Sequence, residues 1–183
     1  MSLIRYLRAL MLAAFGALLI GTPAMSQDLE NTLYLDLDYG RVVIQLRPDL
    51  APQHVTRIKE LTRQGFYDGL KFHRVIDGFM AQTGDPRGNG TGGSGTKIPA
   101  EFSREPFVRG VLGMARSSDP NSGDSQFFIM FTQYPSLNGQ YTVWGRVISG
   151  MEFVDKIKRG GGGNGQVQNP DRIVRARMAT DPQ

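Results

Sequence analysis

Hydrophobic and polar residues alternate between residues 32 and 46, which is the pattern of half-buried β-strands. Two such segments, Thr32–Asp38 and Arg41–Leu46, flank a Tyr39-Gly40 pair that predicts a tight hairpin. Six more short runs follow, each bounded by Gly, Pro, Asn or Asp. They are Lys71–Ile76, Phe79–Gln82, Val111–Ala115, Gln126–Phe131, Thr142–Ile148 and Arg172–Met178. Many short strands and few helices indicate an antiparallel barrel or sandwich.

Two segments have helical periodicity instead. Apolar residues recur every three or four positions between residues 51 and 62, where Pro52 stands in the first turn and Gly65 follows the end. A second helix is predicted at Met151–Arg159, before a run of glycines. The fold class is therefore mainly β with two helices, and 183 residues suffice for one domain with a hydrophobic core.

The first residues do not fit this pattern. Arg5 and Arg8 precede the uninterrupted apolar run Ala9–Gly21, and small residues follow at the spacing of a cleavage site. The run is well short of the ~20 residues that span a bilayer. We therefore predict a signal peptide at residues 1–26 and a mature domain at residues 27–183, with no membrane segment in the mature form.

Export affects how the composition is interpreted. Cleavage is predicted after Ser26, with cleavage after Ala24 as the alternative. The chain has no cysteine, so disulfides cannot stabilise it, and this favours a periplasm over the alternatives of secretion or an endomembrane lumen. The mature chain has 19 basic and 17 acidic side chains, a net charge of +2. Because the two signs are interleaved, no nucleic-acid partner is expected.

Side chains that could bind a ligand or take part in catalysis are concentrated in three segments. Phe72–Asp85 places one arginine, Arg74, among large apolar side chains, and Met114–Ser117 and Ser125–Met130 mix aromatic, amide and small residues. Through the strings FHR…GFM…Q and SQFFI, the chain resembles the cyclophilin family of peptidyl-prolyl cis-trans isomerases from about residue 31 to residue 178. The resemblance implies a closed eight-stranded antiparallel barrel capped by two α-helices. It also implies a monomer that needs no metal or cofactor.

The resemblance also implies the site residues. Arg74 matches the catalytic arginine, although in the strand pattern alone it would be assigned to an ion pair with a carboxylate. Gln82 matches an amide that holds the substrate backbone and orients the arginine. The other matches are predicted to bind substrate: Phe79, Met80, Gly90, Ala115, Arg116, Gln126, Phe128, Leu137 and Tyr141.

Three positions depart from the family pattern. Ser136 stands where many members have a tryptophan that contacts cyclosporin, so weak cyclosporin binding is expected. Tyr141 replaces a histidine beside the proline slot and can fill the same space with its ring. Arg116 replaces a common asparagine, which is expected to alter subsite preference rather than chemistry.

The predicted function is isomerisation of X-Pro bonds in proline-containing peptides and unfolded exported proteins. The alternative is a non-catalytic chaperone or adaptor that holds such peptides in the same groove. A third hypothesis is a hydrolase with Ser125 as nucleophile and His54 or His73 as base. The GxGxxG string at Gly88–Gly93 has no following helix pattern, so it predicts a glycine loop at the rim rather than a dinucleotide site.

Overall fold

A computed structural model describes residues 28–182 of the chain, so the predicted signal peptide and its cleavage sites lie outside the described residues. The strands are β1 (Thr32–Leu37), β2 (Gly40–Leu46), β3 (Arg74–Ile76), β4 (Met80–Thr83), β5 (Val111–Met114), β6 (Phe127–Met130), β7 (Val143–Ser149) and β8 (Ile173–Met178). The α-helices are α1 (Pro52–Arg63) and α2 (Met151–Val154), and short 3₁₀ turns occur at Leu29–Asn31, Pro120–Ser122 and Pro135–Leu137. Within residues 28–182, no helix has the length and apolar character needed to cross a membrane.

The eight strands form one antiparallel sheet that curls into a half-barrel. Its strand order is β3-β4-β6-β5-β7-β2-β1-β8, so β3 and β8 are the two edges. The expectation of a closed barrel was wrong, because these two strands share no ladder. An isolated bridge between Lys71 and Arg172 and a hydrogen bond from the Gly69 N–H to the Ile173 carbonyl at 2.8 Å join the segment before β3 to the start of β8.

The edge of β3 is covered by a glycine-rich segment rather than by β8. The Val75 N–H donates to the Gly165 carbonyl at 2.7 Å, and the Val75 carbonyl accepts from the Gly160 N–H at 2.9 Å. The Val167 N–H donates to the His73 carbonyl at 3.1 Å. Because these bonds already satisfy the outer backbone groups of β3, they leave β8 no partner there.

Hydrophobic side chains pack on both faces of the sheet. In β6, Phe127 and Ile129 belong to the main core, while Phe128 and Met130 belong to a second cluster on the opposite face. Successive side chains of a strand point to opposite faces, which explains why β6 is apolar at every position. Trp144 is fully buried in the main core, with its ring centroid 5.2 Å from that of Phe127.

Two local boundaries differ from the predictions. The first hairpin turns one residue earlier, at Asp38-Tyr39, and Gly40 already pairs with Leu37. Gly40 is required by packing: a Cβ there would lie 2.6 Å from the Phe153 ring of α2. Helix α2 is shorter than predicted, because the N–H groups of Lys156 and Ile157 form hydrogen bonds of the tighter i to i+3 kind.

Helix α1 is capped by a distant carboxylate. The N-cap residue, Ala51, has no side-chain cap, and Glu101 instead accepts from the N–H groups of Gln53 and His54 at 3.1 and 3.0 Å. Glu101 also contacts Nδ1 of His54 at 2.6 Å. Burial lowers the pKa of His54, and the bond to Glu101 only partly opposes this shift. His54 therefore has a structural role at the start of α1.

The free energy of unfolding is expected to fall when the pH is lowered from about 7.5 to about 5.5. Burial lowers the pKa of both histidines of the chain, His54 and His73. Below the ordinary histidine pKa of about 6.5, the unfolded chain therefore binds more protons than the folded protein. Each histidine can contribute at most about 1.4 kcal/mol per pH unit. Urea unfolding at a series of pH values measures the loss.

A His54→Asn variant is the control for this effect. An asparagine amide can still donate towards Glu101 but does not titrate, so the loss of stability between the two pH values should shrink to the share of His73. An unchanged pH dependence would show that the buried His54 does not contribute.

Candidate active site

The register of four neighbouring strands sets the candidate site in a row across one face of the sheet. Arg74 of β3 pairs with Gln82 of β4, Gln82 pairs with Phe128 of β6, and Phe128 pairs with Gly113 of β5. Directly opposed residues point to the same face. A Cβ at Gly113 would overlap the rings of Phe128 and Phe107, so glycine provides the space in which the Phe128 ring lies.

This row forms one wall of a cavity of about 150 Å³, here called the apolar slot. Met80 and Phe128 are buried, and the other apolar residues around the slot are partly buried. Tyr134 packs against Phe79 with ring centroids 4.4 Å apart. The residues that line the slot are Arg74, Phe79, Met80, Gln82, Ala115, Arg116, Phe128, Leu137 and Tyr141.

Two glutamine amides connect Arg74 to the glycine loop, residues 84–95. Arg74 Nη1 donates to Gln82 Oε1 at 3.0 Å, and Gln82 Nε2 donates to Gln126 Oε1 at 2.9 Å. Gln126 Nε2 then donates to the carbonyls of Gly90 and Gly92 at 3.1 and 2.8 Å. In this amide relay, made of Gln82 and Gln126, each side chain fixes the orientation of the next.

A backbone carbonyl holds the other side of the Arg74 guanidinium. Arg74 Nε donates to the Asn164 carbonyl at 2.9 Å, in the segment that covers the edge of β3. Within residues 28–182, Arg74 forms no ion pair with a carboxylate, so the alternative of an ion-paired strand arginine was wrong. Its partners are neutral, and its positive charge faces the slot.

A buried carboxylate shapes the glycine loop. Asp85 is 1% exposed, and its oxygens accept from the N–H groups of Arg87, Asn89 and Gly90 at 2.8, 3.0 and 2.6 Å. Burial raises the pKa of Asp85, but these backbone donors outweigh burial, and the net shift is downward. Ionised Asp85 therefore sets the loop conformation that presents the carbonyls of the amide relay.

Arg116 lies at the rim of the slot in a fixed position. Its guanidinium stacks on the Tyr141 ring at 4.5 Å and donates to the Gln140 carbonyl through Nε at 3.0 Å and Nη2 at 2.9 Å. Nη1 donates to the Ser117 carbonyl at 2.9 Å. Among residues 28–182, the backbone N–H and carbonyl of Arg116 have no partner. The Ala115 N–H, in contrast, donates to the Gln126 carbonyl at 2.9 Å.

All eleven site residues predicted from the sequence lie together. Nine line the slot, while Gly90 and Gln126 lie in an adjoining cavity of about 280 Å³, here called the side cavity. The roles of Asp85 and of the carbonyls of Gly92 and Asn164 were not predicted from the sequence. An aspartate followed by closely spaced glycines was the available signal for Asp85, whereas backbone carbonyls leave no residue-type signal.

The geometry does not support the hydrolase hypothesis. Ser125 is fully buried, and its hydroxyl donates to the Gly84 carbonyl at 2.7 Å. His54 contacts Glu101 instead of the serine. The GxGxxG segment is a loop, as predicted.

Comparison with known proteins identifies the family. Residues 32–178 match the family model described as cyclophilin type peptidyl-prolyl cis-trans isomerase/CLD. The chain belongs to this family. A probable peptidyl-prolyl cis-trans isomerase of Brucella suis is 57% identical, over 99% of both chains. Peptidyl-prolyl cis-trans isomerase B of Bacillus subtilis is 44% identical, over 67% of this chain and 87% of its own.

Solved cyclophilins have a similar structure. Cyclophilin AquaCyp293 from Hirschia baltica has a TM-score of 0.76 and 29% identity, covering 85% of this chain and 76% of its own. A Cryptosporidium parvum cyclophilin type isomerase, crystallised in the presence of dipeptide ala-pro, has a TM-score of 0.75 and 29% identity, covering 82% of this chain and 99% of its own. The cyclophilin fold and peptidyl-prolyl isomerase activity agree with the predictions from sequence.

A Gln126→Leu variant of this cyclophilin is expected to isomerise a proline peptide about 3- to 10-fold less efficiently, measured as kcat/KM. Leucine removes the link between the glycine loop and Gln82, so Arg74 loses part of its orientation. Gln45→Leu is the matched control, because Gln45 also donates to a backbone carbonyl, at 2.9 Å, but lies on β2 away from the slot. Equal losses in both variants would contradict a positioning role for Gln126.

Proposed function

We propose that this peptidyl-prolyl isomerase acts on exported proteins and that Arg74 contacts the twisted amide of the substrate. The observation that carries the mechanism is the position of the Arg74 guanidinium at the wall of the apolar slot. Arginine has five N–H donors. Two of them are held by Gln82 and Asn164, which leaves three for a ligand in the slot.

The reaction requires rotation about a bond with partial double-bond character. Amide resonance opposes this rotation with a barrier of ~18–20 kcal/mol, so uncatalysed exchange at X-Pro bonds takes tens to hundreds of seconds. In the twisted transition state the prolyl nitrogen loses conjugation and gains a lone pair that accepts a hydrogen bond. Arg74 can donate to this lone pair only after the amide has twisted, and such an interaction lowers the barrier selectively.

One hydrogen bond does not account for the whole acceleration. A rate increase of roughly 10⁵ needs about 7 kcal/mol, whereas a hydrogen bond to a charged group contributes about 1.5–3 kcal/mol. The apolar slot contributes a further part, since the planar amide is more polar than the twisted one and loses more solvation when it leaves water. Phe79, Phe128 and Leu137 provide this environment.

Proline-containing peptides are the proposed ligands of the slot. The dipeptide ala-pro present with the Cryptosporidium relative supports this choice. The unpaired backbone groups of Arg116 are suited to hydrogen-bond an extended peptide main chain. Weak cyclosporin binding is also proposed, because Ser136 offers no aromatic ring at the rim.

An Arg74→Ala variant is expected to lose about 10- to 150-fold in kcat/KM, which corresponds to one charge-assisted hydrogen bond at the transition state. The measurement is a proline-limited exchange assay on a short peptide, with peptide affinity determined in parallel. Arg175→Ala is the control, because Arg175 is an exposed arginine of β8 outside the slot.

The outcomes separate catalysis from binding. Loss of exchange with retained folding and little change in affinity supports the role of Arg74. Equal catalysis by wild type and Arg74→Ala would refute the mechanism. A wild type that binds the peptide without accelerating exchange would favour the non-catalytic chaperone or adaptor.

The proposal that the clients are exported proteins depends on the N-terminal segment. Two arginines, the apolar run at residues 9–21 and the small residues up to Ser26 are typical of a signal peptide. The absence of cysteine agrees with a periplasmic location.

N-terminal sequencing of the protein recovered from the periplasmic fraction is expected to begin at Gln27, or at Met25 if cleavage follows Ala24. The cytoplasmic fraction of the same cells provides the control. A periplasmic protein that begins at Met1 would contradict the signal peptide.

A further inference from the structure

The charged residues around the slot and the side cavity are unevenly distributed. Arg74, Lys97 and Arg116 provide three cations, while Asp124 is the single carboxylate among the residues that line these two cavities. Asp124 is largely occupied by the glycine loop: it accepts from the N–H groups of Ser94 and Gly95 at 2.7 and 3.0 Å. Its side chain is only 9% exposed, and Lys97 lies 4.0 Å away. The open surface is therefore positive.

Arg116 is the cation best placed to select a ligand. Its three hydrogen bonds go to backbone carbonyls, which hold the guanidinium over Tyr141 without neutralising it. Two of its five N–H donors remain available. In the described part of the chain, Arg116 forms no ion pair with a carboxylate. A fixed guanidinium loses little side-chain entropy on binding a carboxylate, so it discriminates better than a free one.

The side cavity adjoins the slot. The two cavities share Gln82, Ala115 and Arg116 as a common wall. Side chains two residues apart in an extended peptide point to the same face, about 6 to 7 Å apart. With proline in the slot, the side chain of the second residue from the proline is therefore expected to lie on the face of the side cavity, and that of the adjacent residue on the opposite face.

Resting on the proposed binding of proline peptides in the slot, we propose that Arg116 makes this isomerase selective for peptides with an acidic side chain at the second residue from the proline. Lys97, which also lines the side cavity, assists. Its side chain is 66% exposed, so its contribution is smaller than that of Arg116. The preferred clients are thus acidic segments around proline, and lysine at the same position is disfavoured.

The test compares peptides that differ only in charge. Glu, Gln or Lys is placed at the second residue before or after proline, and in a parallel set at the residue directly before it. Dissociation constants are measured by fluorescence anisotropy and exchange rates by NMR, at low salt and at high salt. Wild type should favour Glu over Gln by about three- to fivefold at one of the two second positions, and should show no preference at the adjacent position.

The variants assign the preference to its source. In Arg116→Gln the Glu/Gln ratio should fall towards one, in Lys97→Gln it should fall less, and high salt should reduce it in the wild type. Arg175→Gln removes the same charge from an exposed position on β8 and should leave the ratio unchanged. Because each ratio compares two peptides on one protein, a general loss of affinity in a variant cancels.

Three results would overturn the proposal: a Glu/Gln ratio of one in the wild type at both second positions, a preference at the adjacent position instead, or an equal fall in the Arg175→Gln control. The last would indicate a general effect of net charge. Absence of accelerated exchange with every peptide would refute the proposed catalytic function, whereas the ratio of dissociation constants would still decide the charge preference.

Discussion

The pairing register of β3, β4 and β6 is the constraint on which the site depends. It places Arg74, Gln82 and Phe128 in one row on the face opposite the main core. A shift of one residue in either ladder would turn these side chains to the other face. The register is held because the alternate residues, such as Val75, Ala81 and Ile129, are fully buried in the main core. Packing on one face thus determines the chemistry available on the other.

The orientation of the Arg74 side chain comes from longer-range contacts. The amide relay connects Arg74 to a loop that is itself organised by buried Asp85, while the segment along the edge of β3 holds the guanidinium from the other side. Each contact is a modest hydrogen bond. Because every side chain in the series has both ends bonded, the arrangement restricts rotation more than any single bond would. The half-barrel contributes to this arrangement, because the segment that covers β3 in place of β8 also presents the Asn164 carbonyl.

Much of the fold and the site followed from local patterns and from the family resemblance. Short β-rich runs bounded by turn residues predicted all eight strands, and the site residues predicted from the matching strings lie together around two adjoining cavities. Barrel closure could not be predicted locally, because it depends on whether β8 or the 160–167 segment occupies the edge of β3. The cap that Glu101 gives to α1 could not be predicted locally either, because Glu101 and the start of α1 are far apart in sequence. Contacts through backbone carbonyls left no signal at all.

The neutral hydrogen-bond partners of Arg74 explain why residue 82 is a glutamine rather than a glutamate. A glutamate there would accept the same hydrogen bond, but its negative charge would compete with a weakly basic prolyl nitrogen for the guanidinium. Glutamine fixes the geometry and leaves the positive charge uncompensated inside an apolar slot, where electrostatic interactions are stronger than in water. The same logic applies to Arg116, which is held by carbonyls and an aromatic ring. Both arginines are positioned without being neutralised, so their charge remains available to whatever peptide enters the groove.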